Sequence, residues 1–489
     1  MINHTSLTNP SNHTYQTPCS AILVASLPIF LALILGGCDF LQYSAKPIDP
    51  VANTVKFEAK DPASEQFNEY LISNGYTANQ LPITLWEVDE LTLCALFFNP
   101  SLDVARAQWR AAQSAELAAA AKPIPSLNTN IAHSNRANGD ISPFAFGFSI
   151  DIPIETAKKR DIRIENAGHL SEAAKLEIAQ TAWQLHNQVA QNLNEYQFNQ
   201  QQVKLLTEEQ SRRQEIVAIY QKRLTLGAAS NVELSTANLQ LQTTTSELIA
   251  SEQNKLVLLS KLASNLGIPL NKVTAMNLSN GDDTQQTLNN QNIPTDIQAS
   301  ALLNRLDIRI ALEKYASAES KLKLEIARQY PDINISPGYA YEFGDRVWSL
   351  GLSSLLTLLN KNKVAIAEAT ALREVEAAQF TALQSKVISE TNIANAGLIQ
   401  AKLALDNQMQ MLKQQQNNSQ RMARKFAAGE IDRLELTYAK LEDNVAERNL
   451  ALANFQLKTA LSQLENTLQK SLSTANINAA KIEMEWDKK

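Results

Sequence analysis

Proline is missing from two long stretches of this chain, and its absence limits what the chain can fold into. None of the 16 prolines falls between Ile154 and Ile268, and none follows Pro337. A proline inside a helix costs about 3 kcal/mol, so both stretches are free to form very long helices. Aromatic residues make up only 6% of the chain, as in long helices with narrow apolar seams. The sequence therefore predicts an extended, mostly helical protein with a small β part.

One glycine interrupts the first helical stretch. The helical pattern from Glu155 to Leu226 stops at Gly227 and resumes at once. A helix of about 72 residues would be about 108 Å long, and its apolar residues step by threes, fours and sevens, as in a coiled-coil seam. The return helix is expected to have about 38 residues and the helix entering the second pair of strands about 35. Stacked end to end, these two helices would match the long helix in length.

The stretch around Gly227 occurs twice. RLTLGAASNVEL, from Arg223, aligns with KFAAGEIDRLEL, from Lys425, and Gly429 follows Gly227 by 202 positions. Other segments align at offsets of 204 and 206. A near-constant offset indicates an internal duplication. Each copy is predicted to contain a helix, two strands, a long helix, the glycine turn and a return helix.

The predicted strands alternate between apolar and small or polar residues. In the first copy the apolar face carries Phe144, Phe146, Phe148, Ile150 and Ile152, and the other face carries Ala145, Gly147, Ser149 and Asp151. Each strand is about ten to thirteen residues long, as a tilted transmembrane strand is. A soluble hairpin would bury its apolar face against a second sheet, and the sequence offers none. Because open sheet edges are not tolerated in lipid, four strands per chain require further copies of the chain.

The N-terminus resembles a secretory signal. The first 37 residues carry no Asp, Glu, Lys or Arg, and their apolar run ends in Leu35-Gly36-Gly37-Cys38. This ending resembles a bacterial lipobox and implies lipidation of Cys38. An ordinary cleaved signal is the alternative, and the absence of Lys or Arg before Ala21 counts against a lipobox. Asp39 in turn resembles an inner-membrane retention signal.

The duplicated helix–strand–strand–helix units, the lipobox and the paired glycine turns together resemble the TolC-like outer-membrane efflux factors. The segments NPSLDVARAQWRAAQSAEL, ETAKKRDIRIENA and LLNKNKVAIAEA are similar to the CzcC-like branch, which is associated with cation efflux. The resemblance implies a homotrimer with a twelve-stranded transmembrane β-barrel in the outer membrane, four strands coming from each chain. It further implies a trimeric α-helical barrel, which forms a coiled-coil tunnel through the periplasm. The implied partners are a periplasmic adaptor (membrane fusion) protein, an inner-membrane pump of the RND type and outer-membrane lipid. A net charge of −6 gives no basic footprint for nucleic acid.

The resemblance also assigns roles to residues at the two turns. It implies that Gly227 and Gly429 are the periplasmic tips of the tunnel and that Arg223 and Lys425 dock onto the adaptor. The alternative is that both glycines are merely helix stops.

A second implied role is a gate at the periplasmic entrance. Glu435, six residues after Gly429, would face the lumen as an acidic ring, and Glu233 would do so in the first copy. The family's second ring position is Tyr438, and the position of its closing arginine is Ile431. The alternative is that Glu435 is a solvated charge on the outer surface.

These observations divide the chain into six segments. They are a signal peptide (1–37), an N-terminal lipid-anchored segment (38–87), a first repeat (88–267, strands about 127–136 and 144–154), a mid-height linker (268–294), a second repeat (295–472, strands about 333–343 and 347–359) and a C-terminal tail (473–489).

No motif for catalysis, a cofactor or a metal emerges, so the sequence predicts no enzyme. His169 and His186 would lie about 25 Å apart on one helix and cannot share a metal ion. Cys94, within LTLCALF, is predicted to be a core residue. The predicted function is a passive export duct for cargo such as divalent metal cations. The alternative is a periplasmic coiled-coil adaptor or structural lipoprotein without a channel, although an adaptor would carry glycine-rich β domains beside its hairpin.

Overall fold

The computed structural model describes residues 41–135, 139, 141–279, 296–354, 361–470 and 472. The predicted signal peptide, Cys38, the linker from 280 to 294 and the predicted tail from 473 lie outside these residues. The chain divides into two units, 1–56 and 57–489. The described part of the first unit begins at Leu41, and helix α1 (Pro50–Glu58) ends within the second unit.

The second unit begins with short elements that build an aromatic cluster. These elements are helix α2 (Glu65–Ser73), a 3-10 turn (Ala78–Gln80) and helix α3 (Val88–Phe98), with which the predicted first repeat begins. Neighbouring rings of the cluster lie between 4.7 and 6.4 Å apart; its members are Phe67, Tyr70, Trp86, Phe97 and Phe98. Cys94 on α3 is fully buried beside this cluster, as its apolar neighbours predict, and burial raises the pKa of its thiol.

The rest of the second unit contains two copies of one arrangement, which confirms the predicted fold class. The first copy consists of α4 (Pro100–Ala119), β1 (Ser126–His133), β2 (Phe144–Ile154), the long helix α5 (Lys159–Thr225) and the return helix α6 (Asn231–Leu266). After the short helix α7 (Leu270–Thr274), the second copy consists of α8 (Ile297–Asn304), α9 (Leu306–Ala327), β3 (Ile333–Glu342), β4 (Asp345–Ser354), α10 (Lys363–Ala427) and α11 (Arg433–Leu468).

The four strands form one antiparallel sheet in the order β1-β2-β3-β4. Strands β2 and β3 join the two repeats, with Phe146 opposite Tyr341. Phe343 and Gly344 form the tight turn between β3 and β4, with φ values of 51° and 114°. Phe343 therefore lies in a turn, and not at the end of the strand predicted for about 333–343. Among the described residues, β1 and β4 each pair on one side only, so both edges of the sheet are unpaired.

Helix α5 lies at the centre of the helical wall. It packs between α4 and α9 near the sheet, and between α6 and α11 toward the turns. Helix α10 packs on both α9 and α11. The order of neighbours is therefore α4–α5–α9–α10 near the sheet and α6–α5–α11–α10 near the turns.

The end-to-end stacking differs from the sequence expectation. The Asn99 side chain, at the start of α4, donates from Nδ2 to the Asn265 carbonyl at 2.7 Å, so α4 continues α6. The Leu306 amide, at the start of α9, donates to Gln469 Oε1 at 2.6 Å, so α9 continues α11. The expectation that α6 is continued by the entering helix of the second repeat is wrong. Helices α4 and α9 have similar lengths, 20 and 22 residues, so helix length alone does not decide which of them continues α6.

The entering helix of the second copy is also broken, although one continuous helix was expected from Asp296 to Tyr330. Arg305 separates α8 from α9 with an extended backbone, φ −69° and ψ 127°. Its guanidinium donates to both carboxylate oxygens of Asp307, at 2.9 and 2.7 Å, and to Glu390 at 2.9 Å. These side-chain contacts stabilise the break, and neither proline nor glycine marks it in the sequence.

Candidate functional site

The turn between α5 and α6 is a Schellman motif. The Gly227 amide donates to the Leu224 carbonyl at 3.0 Å, and the Ala228 amide donates to the Arg223 carbonyl at 2.7 Å. These bonds satisfy carbonyls that have no partner within the helix. Gly227 has a φ of 70°, in the left-handed region that glycine adopts without a steric penalty.

The turn between α10 and α11 repeats this geometry. The Gly429 amide donates to Phe426 at 3.0 Å, and the Glu430 amide donates to Lys425 at 2.9 Å. Arg223 and Lys425 therefore hold the same position in the two motifs. Their cationic side chains lie in the last turn of each helix, near the negative end of its dipole. Docking of an adaptor by these residues stays a prediction.

Both glutamates predicted as gate residues lie in capping boxes. The Glu233 carboxylate accepts from the Ser230 amide at 2.7 Å, and the Ser230 hydroxyl accepts from the Glu233 amide at 3.2 Å. The Glu435 carboxylate accepts from the Asp432 amide at 3.3 Å, and Asp432 accepts from the Glu435 amide at 3.0 Å. Both glutamates are exposed, and the bond from the Ser230 amide lowers the pKa of Glu233. Each carboxylate thus caps its own helix, and the lumen role stays a prediction.

An ion pair joins the two turns. Arg223 Nη2 lies 2.5 Å from Asp432 Oδ2, and Arg433 Nε lies 2.6 Å from Glu215 Oε1 a little further along α5. Sequence reasoning missed Asp432, although it stands 202 positions after Ser230, the N-cap of the first turn. The constant offset was the signal that would have found it. Lys425, by contrast, is exposed and forms no ion pair with any described residue.

A small apolar core lies next to the turns, on the helices that lead into and out of them. It contains Ile216, Val217, Ala237, Leu434 and Leu441, all buried. Tyr438, at the position of the family's second acidic ring, packs against this core. Burial, followed by its hydrogen bond with Tyr220, raises the pKa of Tyr438 to about 12. This position therefore carries a neutral, half-buried ring.

A buried charge network crosses the wall further along. Glu209 of α5 is only 2% exposed and lies 2.7 Å from Arg213 and 2.6 Å from Arg448 of α11. Burial pushes the pKa of Glu209 upward, but the hydrogen bonds from Arg448 and Arg213 outweigh it and leave the pKa lowered. Arg448 also reaches Glu247 of α6 at 3.1 Å. The network fastens α6 and α11 to α5, and the sequence carried no distinctive signal for it.

The sheet carries an exposed apolar belt on one face. Its aromatic and aliphatic members on β2 and β4 include Phe144, Phe146, Phe148, Ile150, Trp348, Leu350 and Leu352. Trp348 is 81% exposed, whereas Ala145 on the opposite, small and polar face of the sheet is 7% exposed. Ring contacts between Phe148 and Tyr339 at 6.0 Å and between Tyr339 and Trp348 at 4.8 Å make the belt continuous across three strands. A patch of this kind marks an interaction surface for lipid or protein.

The histidines have structural partners. His169 Nδ1 lies 2.7 Å from Glu313, and the buried His186 Nδ1 lies 2.9 Å from the Thr92 hydroxyl. Within the described part of the chain, no group of three or more His, Cys, Asp or Glu side chains is arranged to hold a metal ion. None of the helices described is both long enough and apolar enough to cross a membrane.

Comparison with known proteins gives one family match and several similar folds. Residues 94–267 match the outer membrane efflux protein family. The fold is similar to solved structures of CusC (16% identity, TM-score 0.63, covering 78% of this chain and 91% of CusC) and of VceC from Vibrio cholerae (16%, 0.64, 79% and 97%). It is also similar to CmeC from Campylobacter jejuni (14%, 0.63, 91% and 97%). The family match covers most of the first repeat, and these solved structures share the fold over most of the chain. A search of the curated proteins found no significant match.

Two surfaces of the chain stand out beside this family match. They are the apolar belt of the sheet and the paired turns at the far end of the helical wall. Lipid anchoring and the CzcC-like branch stay predictions.

Proposed function

We propose that this chain is an outer-membrane efflux protein that works as a homotrimeric exit duct of a tripartite system, with a periplasmic adaptor and an inner-membrane pump of the RND type. The observation that carries the proposal is the four-stranded sheet, which has an exposed apolar belt and two unpaired edges in its described residues. Such edges are costly in lipid, and three copies close a barrel of twelve strands.

The edge helices of the wall support a trimer as well. Near the turns, α6 and α10 are the outermost helices of the chain, and both expose apolar side chains. Leu239 on α6 is 65% exposed, and Ile393 and Leu403 on α10 are 69% and 66% exposed. A second copy that pairs its α10 with α6 would cover these side chains and extend the wall.

The test is the mass of the detergent-solubilised protein together with its conductance in planar bilayers. We expect a trimer that conducts. Leu403→Glu, on the edge face of α10, should shift the mass toward monomer, whereas Lys402→Glu beside it should leave the trimer intact. A stable, monodisperse monomer of the wild type would contradict the proposal.

The turns are the proposed docking surface for the adaptor. A Cβ at Gly227 or Gly429 would meet nothing within 4 Å, so the expected cost of a valine there is strain in the left-handed backbone, about 1–2 kcal/mol. We expect either substitution to abolish efflux while the trimer persists. Charge reversal at Lys425, which has no ion-pair partner among the described residues, should weaken complementation more than reversal at Lys175. If charge reversal at Lys425 and at Lys175 weakens complementation equally, the turns are only helix ends and do not dock the adaptor.

Lipidation of Cys38 is proposed from the lipobox. Cys38→Ala should abolish acyl labelling, while the wild type should fractionate with the outer membrane because two acyl chains anchor firmly. Recovery of the wild type in the inner membrane would mean that Asp39 acts as a retention signal. Labelling that persists in Cys38→Ala would contradict the assignment.

Divalent metal cations stay a predicted cargo of this duct. A passive duct need not bind what passes through it. Deletion of the gene should lower tolerance to zinc or cobalt if metal is exported, and unchanged tolerance to both would remove metal from the proposal. A non-channel adaptor or structural lipoprotein, the alternative function, would give no conductance in bilayers.

A further inference from the structure

We propose that a groove in the helical wall binds an amphipathic organic cation. The groove has a volume of about 440 Å³, is open to solvent, and lies between α5, α9 and α10 of a single chain. Pockets of roughly 300–1,000 Å³ accommodate drug-sized ligands. That such a cation is cargo rests on the proposed function, whereas binding itself depends only on this chain.

The floor of the groove is apolar. It is formed by Ile310 and Ala311 of α9 and by Phe380 and Leu383 of α10. Ile310 is buried, and the other three are half-buried, so the floor still presents apolar surface to the groove. A ligand with an apolar body gains about 25 cal/mol for each Å² that it buries there.

The rim of the groove is acidic, and one of its charges is uncompensated. Glu177 lies 3.1 Å from Lys314, the one cation among the lining residues, and Asp307 lies 2.7 Å from Arg305. Glu376 is half-buried and has no ion-pair or hydrogen-bond partner among the described residues. The remaining negative charge of the rim is therefore centred on Glu376.

Glu376 and Phe380 are four residues apart on α10 and so lie on one face of that helix. A cation that pairs with the Glu376 carboxylate is placed to contact the face of the Phe380 ring, and an attraction of this type is worth about 0.5–1 kcal/mol at an exposed site. On α5, Gln180 Oε1 is buried at the groove and lacks a hydrogen-bond partner in the described part of the chain.

The same lining does not suit a metal ion. Divalent metals need several oxygen, nitrogen or sulfur ligands converging on one point. Among the described residues no such group of three or more His, Cys, Asp or Glu exists, in the groove or elsewhere. One free carboxylate, an aromatic ring and an apolar floor fit an organic ammonium or a planar aromatic cation instead.

The test is ethidium binding to the detergent-solubilised full chain, followed by fluorescence anisotropy, with fluorescein as the anionic control. We expect ethidium to bind, more weakly as salt rises, and fluorescein not to bind. Glu376→Gln should weaken ethidium binding about threefold to fivefold, and Phe380→Leu about twofold to fivefold. Glu374→Gln, an exposed position on the same helix outside the groove, should match the wild type.

Equal affinity of Glu376→Gln and the wild type, binding of fluorescein as tight as ethidium, or competition by Zn²⁺ alone at equal concentration would each overturn the inference. Trimer mass and conductance are measured on the same samples. If the protein is a conducting trimer but binds no ethidium, the proposed binding groove is wrong and the proposed function is supported. If the protein is a monomer that binds ethidium only when Glu376 is present, the binding groove is supported and the homotrimeric duct is wrong.

Discussion

Arg223 and Asp432, which are 209 positions apart in the sequence, form an ion pair that links the two turns, with 2.5 Å between Nη2 and Oδ2. Asp432 is also the N-cap of α11, where its other carboxylate oxygen accepts from the Glu435 amide. That amide is the largest cause of the lowered pKa of Asp432, and Arg223 adds to it. One carboxylate therefore fastens the end of α5 to the start of α11.

Breaking this pair should loosen the two turns. The two side chains are 33% and 51% exposed, so the pair is worth only about 0.2–1 kcal/mol. If the turns form the entrance, Arg223→Gln should raise the open fraction of the reconstituted trimer by up to about fivefold. Lys222→Gln, at the neighbouring exposed position, is the control. At about 1 M salt the wild type should approach the variant because the pair is screened. Identical conductance of Arg223→Gln and the wild type at low salt would show that the pair does not hold the entrance.

Two glycines with the same backbone conformation should respond differently to alanine. Gly227 and Gly267 have φ values of 70° and 71°, but a Cβ at Gly267 would lie 2.7 Å from the Cα of Asn99. Gly227→Ala should cost about 1–2 kcal/mol from backbone strain, and Gly267→Ala about 2–5 kcal/mol because the α4–α6 junction must also move. Thermal melting in detergent measures both. Equal shifts in the melting temperature would mean that the junction is not tightly packed.

Burial of His186 should make stability depend on pH. Burial lowers the pKa of His186 from 6.5 to about 4, so the unfolded chain binds a proton at higher pH than the folded chain does. The neutral His186 side chain therefore contributes about 3 kcal/mol to the free energy of unfolding. This contribution is complete above about pH 6.5 and is lost progressively as the pH falls toward about 4. His186→Gln, which can still bond to Thr92, should flatten the melting temperature between these pH values. His133→Gln, on the exposed strand β1, should not, and parallel pH profiles of the wild type and His186→Gln would contradict the prediction.

The gate hypothesis for Glu435 can be separated from its capping role. Glutamine also closes a capping box, so Glu435→Gln removes the charge but keeps the start of α11 intact. If the carboxylates face the lumen, this change should reduce cation selectivity and block by divalent cations. Glu442→Gln, another exposed position on α11, serves as the control. Unchanged selectivity with an unchanged melting temperature would leave Glu435 as a cap alone, and Glu233→Gln gives the same test at the first turn.

The sequence predicted several helices, strands and turns because these elements depend on residues that are close together in the chain. The absence of proline permitted the long helices, the period-two alternation from Phe144 to Ile152 marked a strand, and Gly227 and Gly429 marked Schellman turns. Each of these signals depends on the conformational preferences of a few consecutive residues. Because the chain is duplicated, a signal recognised in one repeat also predicted the matching element in the other repeat.

Tertiary structure decided what local preferences leave open. It determined that α4 continues α6, that Arg305 breaks the entering helix, and that Asp432 reaches Arg223. It also brought Glu376 and Gln180 to one groove. These contacts join segments from about 85 to 209 positions apart, and several helices of similar length and pattern compete for each place. The choice among them depends on summed packing and on pairing of buried polar groups, such as Leu306 with Gln469, which appear only when all the helices are assembled. The sequence by itself thus determined the elements and their duplication, whereas the contacts between the copies were decided by the folded chain.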